Sequence, residues 1–150
     1  MQFKININGR STICEAQPED SLLEVLRRIG IYSVRSGCET GNCGVCTVWL
    51  NGTPVLSCSV PVARAEGQCV TTVEGVSEEA AALVEALSEE GADQCGYCAP
   101  GLIMAVLAMK RELSMPDEEG IAHYLNGNLC RCSGYRAQMR AIRKFLCAEK

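Results

Sequence analysis

The chain lacks the features that mark several large classes of protein. It has one histidine, His123, beside Tyr124 and without a cysteine or aspartate placed to complete a catalytic pair, so a surface or packing role is expected for it. No G-x-G-x-x-G motif and no P-loop follows a strand pattern, which removes the usual routes to a nicotinamide or a nucleoside triphosphate. No acid–base pair stands out. The longest apolar run, Ala99 to Met109, is too short to cross a bilayer and contains Pro100 and Gly101, so no membrane span is expected. Met1-Gln2-Phe3-Lys4 has neither the basic segment nor the apolar stretch of a signal peptide, which points to a cytoplasmic protein. A net charge of −4 gives no reason to expect nucleic acid as a partner.

What the chain does have is sulfur. Eight of its 11 cysteines form two sets. The first is Cys38-x4-Cys43-x2-Cys46 followed by Cys58, the spacing of plant-type ferredoxins, whose four thiolates hold a [2Fe-2S] centre. The second is Cys95-x2-Cys98, closed later by Cys130-x-Cys132. An odd cysteine total and the lack of a leader argue against a disulfide framework. Around the first set the glycines Gly37, Gly41 and Gly44 let a loop wrap a cluster and aim peptide N–H groups at its sulfurs. Zinc serves that loop poorly, but it is a genuine rival for the second set, where C-x2-C and C-x-C resemble the knuckles of a four-thiolate site. Two iron–sulfur sets in one small chain read as an electron wire.

The periodicity divides the chain near Gly75. Before it, Phe3, Ile5 and Ile7 alternate as in a strand, and Asn8-Gly9 and Asn51-Gly52 are hairpin signals, the second joining Thr47–Leu50 to Val55–Cys58. Ser21 with Glu24 predicts a capped helix that ends at Gly30, and Val70–Val73 predicts a last strand. After Gly75 four helices are expected: from a Ser77 cap to about Glu90, from Pro100 to Leu113, from Pro116-Asp117 to about Asn126, and from a Ser133 cap to about Cys147. In an up-down-up-down bundle the turns carrying Cys95/Cys98 and Cys130/Cys132 share one end. The fold class is therefore α+β.

Other residues carry weaker signals. Cys14, Cys69 and Cys147 read as small hydrophobes without an activating neighbour. Leu102, Ile103, Val106, Leu107 and Leu113, with Met104 and Met109 nearby, read as a core stripe, and Trp49 as core. Seven acids lie between Glu74 and Asp93 and five basic residues between Arg131 and Lys144, runs expected to be solvated faces or to meet charge of opposite sign.

The segments GCETGNCGVC (Gly37 to Cys46), QCGYCAPG (Gln94 to Gly101) and GNLCRCSGY (Gly127 to Tyr135) resemble the small iron–sulfur subunit of the molybdenum hydroxylases, the family of xanthine dehydrogenase, aldehyde oxidoreductase and carbon monoxide dehydrogenase. The resemblance implies an N-terminal β-grasp ferredoxin domain, residues 1–75, and a C-terminal four-helix domain, residues 76–150. It implies a large partner subunit with a molybdopterin cofactor and another with FAD. Cys38, Cys43, Cys46 and Cys58 would bind the outer cluster, nearer the flavin. Cys95, Cys98, Cys130 and Cys132 would bind the inner one, nearer molybdenum, with Gln94 hydrogen-bonded to the pterin and the Cys132 sulfur beside it. Ala99 and Ser133 stand where relatives more often have threonine; neither is a ligand. The expected role is electron transfer for an oxidoreductase whose substrate chemistry happens in a partner, with a free ferredoxin-like carrier as the competing class.

Overall fold

The computed structural model describes residues 1–148. Alternation buries Phe3, Ile5 and Ile7 on one side of β1 (Gln2–Ile7), which pairs antiparallel with β2 (Arg10–Glu15). Asn8 and Gly9, with φ of 49° and 80°, make the turn the sequence predicts. Asn51 and Gly52 do the same at 51° and 82° between β3 (Thr47–Leu50) and β4 (Thr53–Leu56). The strand expected at Val70–Val73 is β5 (Cys69–Thr71); Val73 instead begins a 3₁₀ turn, Val73–Val76. β5 lies parallel to β1 and antiparallel to β3, giving a mixed sheet in the order β2-β1-β5-β3-β4. Helix α1 (Leu22–Arg28) opens on the predicted capping box, with Ser21 and Glu24 satisfying each other's backbone N–H groups, and buries Leu22, Leu23, Val25 and Leu26 against the sheet.

Four helices follow: α2 (Ser77–Glu89), α3 (Ala99–Glu112), α4 (Glu118–Tyr124) and α5 (Arg136–Cys147). Two expected caps are corrected. Ser77 is the first helical residue rather than the cap, because the 3₁₀ turn feeds the chain directly into α2. Ser133 does not cap α5, which starts three residues later after Tyr135; its hydroxyl donates to Cys130 and accepts the Tyr135 N–H at 3.2 Å instead. Asp117 does cap α4, accepting from the Gly120 N–H at 2.8 Å. Helix α2 packs on α5 and α3, and α4 on α5. The acidic and basic runs face each other there: Arg140 pairs with Glu90 at 2.8 Å and Lys144 with Glu89, while Arg143 meets Glu118 at 2.9 Å. Helix α3 is buried from Gly101 to Met109, whereas Leu113, expected in the core stripe, is exposed beyond its last turn. Among the described residues no helix is long and apolar enough to cross a membrane.

The molecule has two apolar cores, one between α1 and the sheet and one among α2 to α5. Trp49 crosses between them. It projects from β3 into the helical core, 2% exposed, and donates its indole N–H to the Met104 carbonyl at 3.0 Å, with the Arg111 guanidinium 4.1 Å from the ring centroid. Near the cysteines the approach is closer. A Cβ on Gly101, in the first turn of α3, would stand 2.3 Å from the Gly44 carbonyl oxygen, and one on Gly44 would stand 2.3 Å from the Gly127 oxygen. Backbone thus packs on backbone where the two halves meet. Gly→Ala in a helix ordinarily stabilises by about 0.5–1 kcal/mol. Gly101→Ala should do the reverse, lowering stability by about 2–3 kcal/mol and the melting temperature by several degrees, because rigid main chain occupies the space. A thermal melt of the variant with an unchanged or raised midpoint would contradict this packing.

Candidate metal centres

The first cysteine set lies on the loop from α1 to β3 and on the 3₁₀ turn Ser57–Ser59 that follows β4. Cys46 is 3% exposed, and Cys38, Cys43 and Cys58 are half-buried around a cleft of about 520 Å³ whose rim includes Arg35 and Glu39. The Cys46 and Cys58 sulfurs are 3.4 Å apart. Asn42 donates its backbone N–H to the Cys38 sulfur at 3.4 Å. Hydrogen bonds from the Thr40 side chain and backbone, then from Asn42, hold the Cys38 thiol down at about 5, whereas burial and the adjacent Cys58 push Cys46 up to about 11.

The second set joins the α2–α3 turn to the α4–α5 connection, as a shared bundle end predicts. The Cys95 and Cys132 sulfurs lie 3.6 Å apart, both exposed, and Gln94 donates its side-chain amide to the Cys132 carbonyl at 3.1 Å. Cys98 and Cys130 form the deeper pair. Burial and the neighbouring Cys130 raise Cys98 to about 11. Burial acts against Cys130 too, but the Ser133 hydroxyl at 3.2 Å and backbone N–H at 3.4 Å bring it down to about 7. Tyr135, in the left-handed region at φ 67°, turns its hydroxyl back to accept the Cys130 N–H at 3.0 Å.

These distances test whether the residues suit a cluster. Disulfide sulfurs would be about 2 Å apart. A metal–sulfur bond of about 2.3 Å with tetrahedral angles instead sets neighbouring thiolates about 3.8 Å apart, close to the separations of both measured pairs. Among the described residues no three His, Cys, Asp or Glu side chains converge on one ion position. The sulfurs come as facing pairs at the separation that two thiolates on one metal ion require, which suits the two-sulfurs-per-iron pattern of a two-iron cluster.

The two sites are joined. The Leu129 N–H, one residue before Cys130, donates to the Cys43 carbonyl at 2.9 Å. Asn128 reaches the Gly44 and Gly101 carbonyls at 3.3 and 3.4 Å. Cys43, Cys98 and Cys130 line one narrow crevice with no room for a water molecule. Sequence reasoning missed Asn128, Ser133, Tyr135 and Gln138 as neighbours of the cysteines. Gln138 alone left a signal, a polar residue heading the apolar stripe Ala141, Ile142, Phe145 of α5. The remaining cysteines differ from expectation in part: Cys14 is buried, but Cys69 and Cys147 are exposed. His123 lies exposed on α4.

Residues 5–74 match the family described as 2Fe-2S iron-sulfur cluster binding domain, and residues 72–143 the one described as [2Fe-2S] binding domain. Over 144 residues the chain is 39% identical to the nicotinate dehydrogenase small FeS subunit of Eubacterium barkeri, which spans 94% of this chain and 92% of that one. The chain belongs to the small iron–sulfur subunits of the molybdenum hydroxylases. As such it is the electron-transfer component of an oxidoreductase and carries 2Fe-2S clusters. The fold agrees with that of quinoline 2-oxidoreductase from Pseudomonas putida 86, at a TM-score of 0.90 and 33% identity over 97% of this chain and 93% of that one. It agrees as well with the aldehyde oxidoreductase of Desulfovibrio gigas, at a TM-score of 0.88 and 34% identity, where 97% of this chain corresponds to 17% of the other.

Eight ligand thiolates predict about four irons and about four acid-labile sulfides per chain of the anaerobically purified subunit. A thiol reagent should then find Cys69 and Cys147 in the native protein, and Cys14 only after unfolding. Iron and sulfide assays with a thiol titration check both numbers; near two irons with zinc making up the rest would remove the second cluster.

Proposed function

We propose that Cys38, Cys43, Cys46 and Cys58 hold the outer [2Fe-2S] cluster and that Cys95, Cys98, Cys130 and Cys132 hold the inner one, in a β-grasp unit of residues 1–75 and a four-helix-bundle unit of residues 76–150, of which 149 and 150 lie outside the described residues. In this reading the chain sits in a cytoplasmic complex between a large molybdopterin-bearing subunit and an FAD-bearing one. Gln94 and Cys132 face the pterin, and the Cys38–Cys58 cleft faces the flavin.

The observation that carries the reading is the dry junction of the two sites. Cys43 offers its carbonyl to Leu129, and Cys130 follows in the next covalent step, so ligands of the two clusters are linked by one hydrogen bond and a few bonds of chain. Water is kept out of the crevice between them, and the buried environment strengthens each polar contact there. A bound [2Fe-2S] cluster supplies one-electron uptake and release. The chain sets where electrons enter and leave: the Cys95/Cys132 pair is exposed at one end, beside Gln94, and the Cys38/Cys43 side opens into the cleft at the other. A region that equals 17% of the aldehyde oxidoreductase chain has its counterpart inside a longer polypeptide, which supports a permanent partner over a freely diffusing carrier.

The order of transfer is testable in the intact complex. Cys43→Ser should leave the first reduction of molybdenum and the inner cluster intact while steady-state transfer to the flavin's acceptor collapses. Cys130→Ser should trap electrons at molybdenum. Rapid-freeze electron paramagnetic resonance resolves the centres, since their different hydrogen bonding and exposure separate their signals. Rapid flavin reduction in the Cys43→Ser complex would overturn the order, and elution of the native protein at the chain's 16.2 kDa would overturn the complex.

A further inference from the structure

Helix α5 buries Ala141, Ile142 and Phe145, and at the head of that stripe, one turn earlier, it buries Gln138, only 4% exposed. A long amide on the apolar face of an amphipathic helix costs stability unless a partner satisfies it. Its side-chain nitrogen lies 3.8 Å from the sulfur of Cys98. The side chain also lines the narrow crevice shared by Cys43, Cys98 and Cys130, and borders an apolar groove with Leu102, Leu125, Met139 and Ile142. No other side-chain amide of the described residues has a recorded contact with a cysteine sulfur, since Gln94 reaches a carbonyl.

We propose that Gln138 is a potential-setting residue of the inner cluster, which uses its amide N–H to stabilise the cluster's reduced form through the Cys98 sulfur. The proposal rests on the reading of Cys98 as a ligand. A thiolate sulfur has no proton to give, so the amide must turn its NH₂ end toward it. One added electron increases the negative charge shared with the ligand sulfurs, and a donor aimed at one of them gains more in the reduced form than in the oxidised form. The effect is enhanced where no water competes. Ser133 donates to Cys130, the opposite sulfur of the deeper pair, and Gln138 is the side-chain amide donor at Cys98.

The test uses the complex carrying Gln138→Met, which keeps length and apolar packing without a donor, and in parallel Gln138→Leu. Redox titration followed by electron paramagnetic resonance reads both clusters, with the outer one as internal reference. The reduction equilibrium constant of the inner cluster should fall about threefold to tenfold, a potential about 28 to 59 mV lower for one electron, with the outer potential unmoved. Pulsed resonance on wild-type protein labelled with ¹⁵N in glutamine side chains should show a nitrogen coupling at the reduced inner cluster that survives Gln94→Met and vanishes in Gln138→Met. An inner potential unchanged in the loaded variants overturns the proposal. So does the absence of the labelled coupling in the Gln94→Met complex, which applies even if both Gln138 variants lose the cluster. A wild-type complex with a single resonance-active iron–sulfur centre overturns the ligand assignment itself, a result distinct from either.

Discussion

The constraint on which the rest depends is the contact of main chain with main chain at Gly44, Gly101 and Gly127. Two cysteine loops from separate cores can share a dry crevice only if no side chain stands between them, and at Gly44 and Gly101 a single added carbon would fall 2.3 Å from a carbonyl oxygen. Once the backbones touch, the Leu129 N–H finds the Cys43 carbonyl, and Asn128 spans the carbonyls of both glycine positions. Electron transfer asks for ligands held at short, constant separation without loose solvent to reorganise. Backbone packing meets that demand more rigidly than long side chains could, because a peptide carbonyl has no rotamers to lose.

The charge pattern supports the same junction at a distance. The acidic α2 and basic α5 hold each other through Arg140–Glu90 and the Lys144–Glu89 pair, both exposed and therefore worth little individually. Their consequence is orientational. With α5 aligned on α2, the turn ahead of α5 is carried toward the turn after α2, which brings Cys132 to Cys95 and Cys130 to Cys98. On the other side Trp49 ties β3, through the Met104 carbonyl and the Arg111 guanidinium, to α3, the helix that begins just after Cys98.

Much of this was legible in the residues. The hairpins at Asn8-Gly9 and Asn51-Gly52 and the Ser21/Glu24 box are local devices, decided within four residues, and they stand where the pattern places them. The approach of the Cys95/Cys98 turn to the Cys130/Cys132 turn was legible too, from an expected up-down-up-down arrangement of helices, but which cysteine faces which was not. What failed was competition for a single group. Ser133 has the credentials of a helix cap, but its oxygen accepts the Tyr135 N–H while its proton goes to Cys130, so the hydroxyl serves the turn that carries the cysteines and α5 starts only after Tyr135, in the left-handed region. Val73 leaves its strand because the chain has to turn into α2. Asn128 was illegible for a different reason, and Gln138 showed only as a polar residue on an apolar stripe: their partners, the Gly44 carbonyl and the Cys98 sulfur, are remote in sequence, and no spacing rule reaches them.

The thiol environments also fit the proposed loading of these cysteines with metal. Each set contains one thiol whose proton is already easily lost, Cys38 at about 5 and Cys130 at about 7, and one, Cys46 or Cys98, that burial keeps protonated up to about 11. The first kind offers iron a thiolate at neutral pH; the second gives up its proton only in exchange for the metal, so loading releases protons and acid opposes it. Thiols held at 3.4 to 3.6 Å from a neighbouring sulfur would repel if both ionised without a cation between them. The paired geometry is therefore one that a bound metal would stabilise and bare thiolates would not, in addition to the backbone packing that already holds the loops together at Gly44 and Gly101.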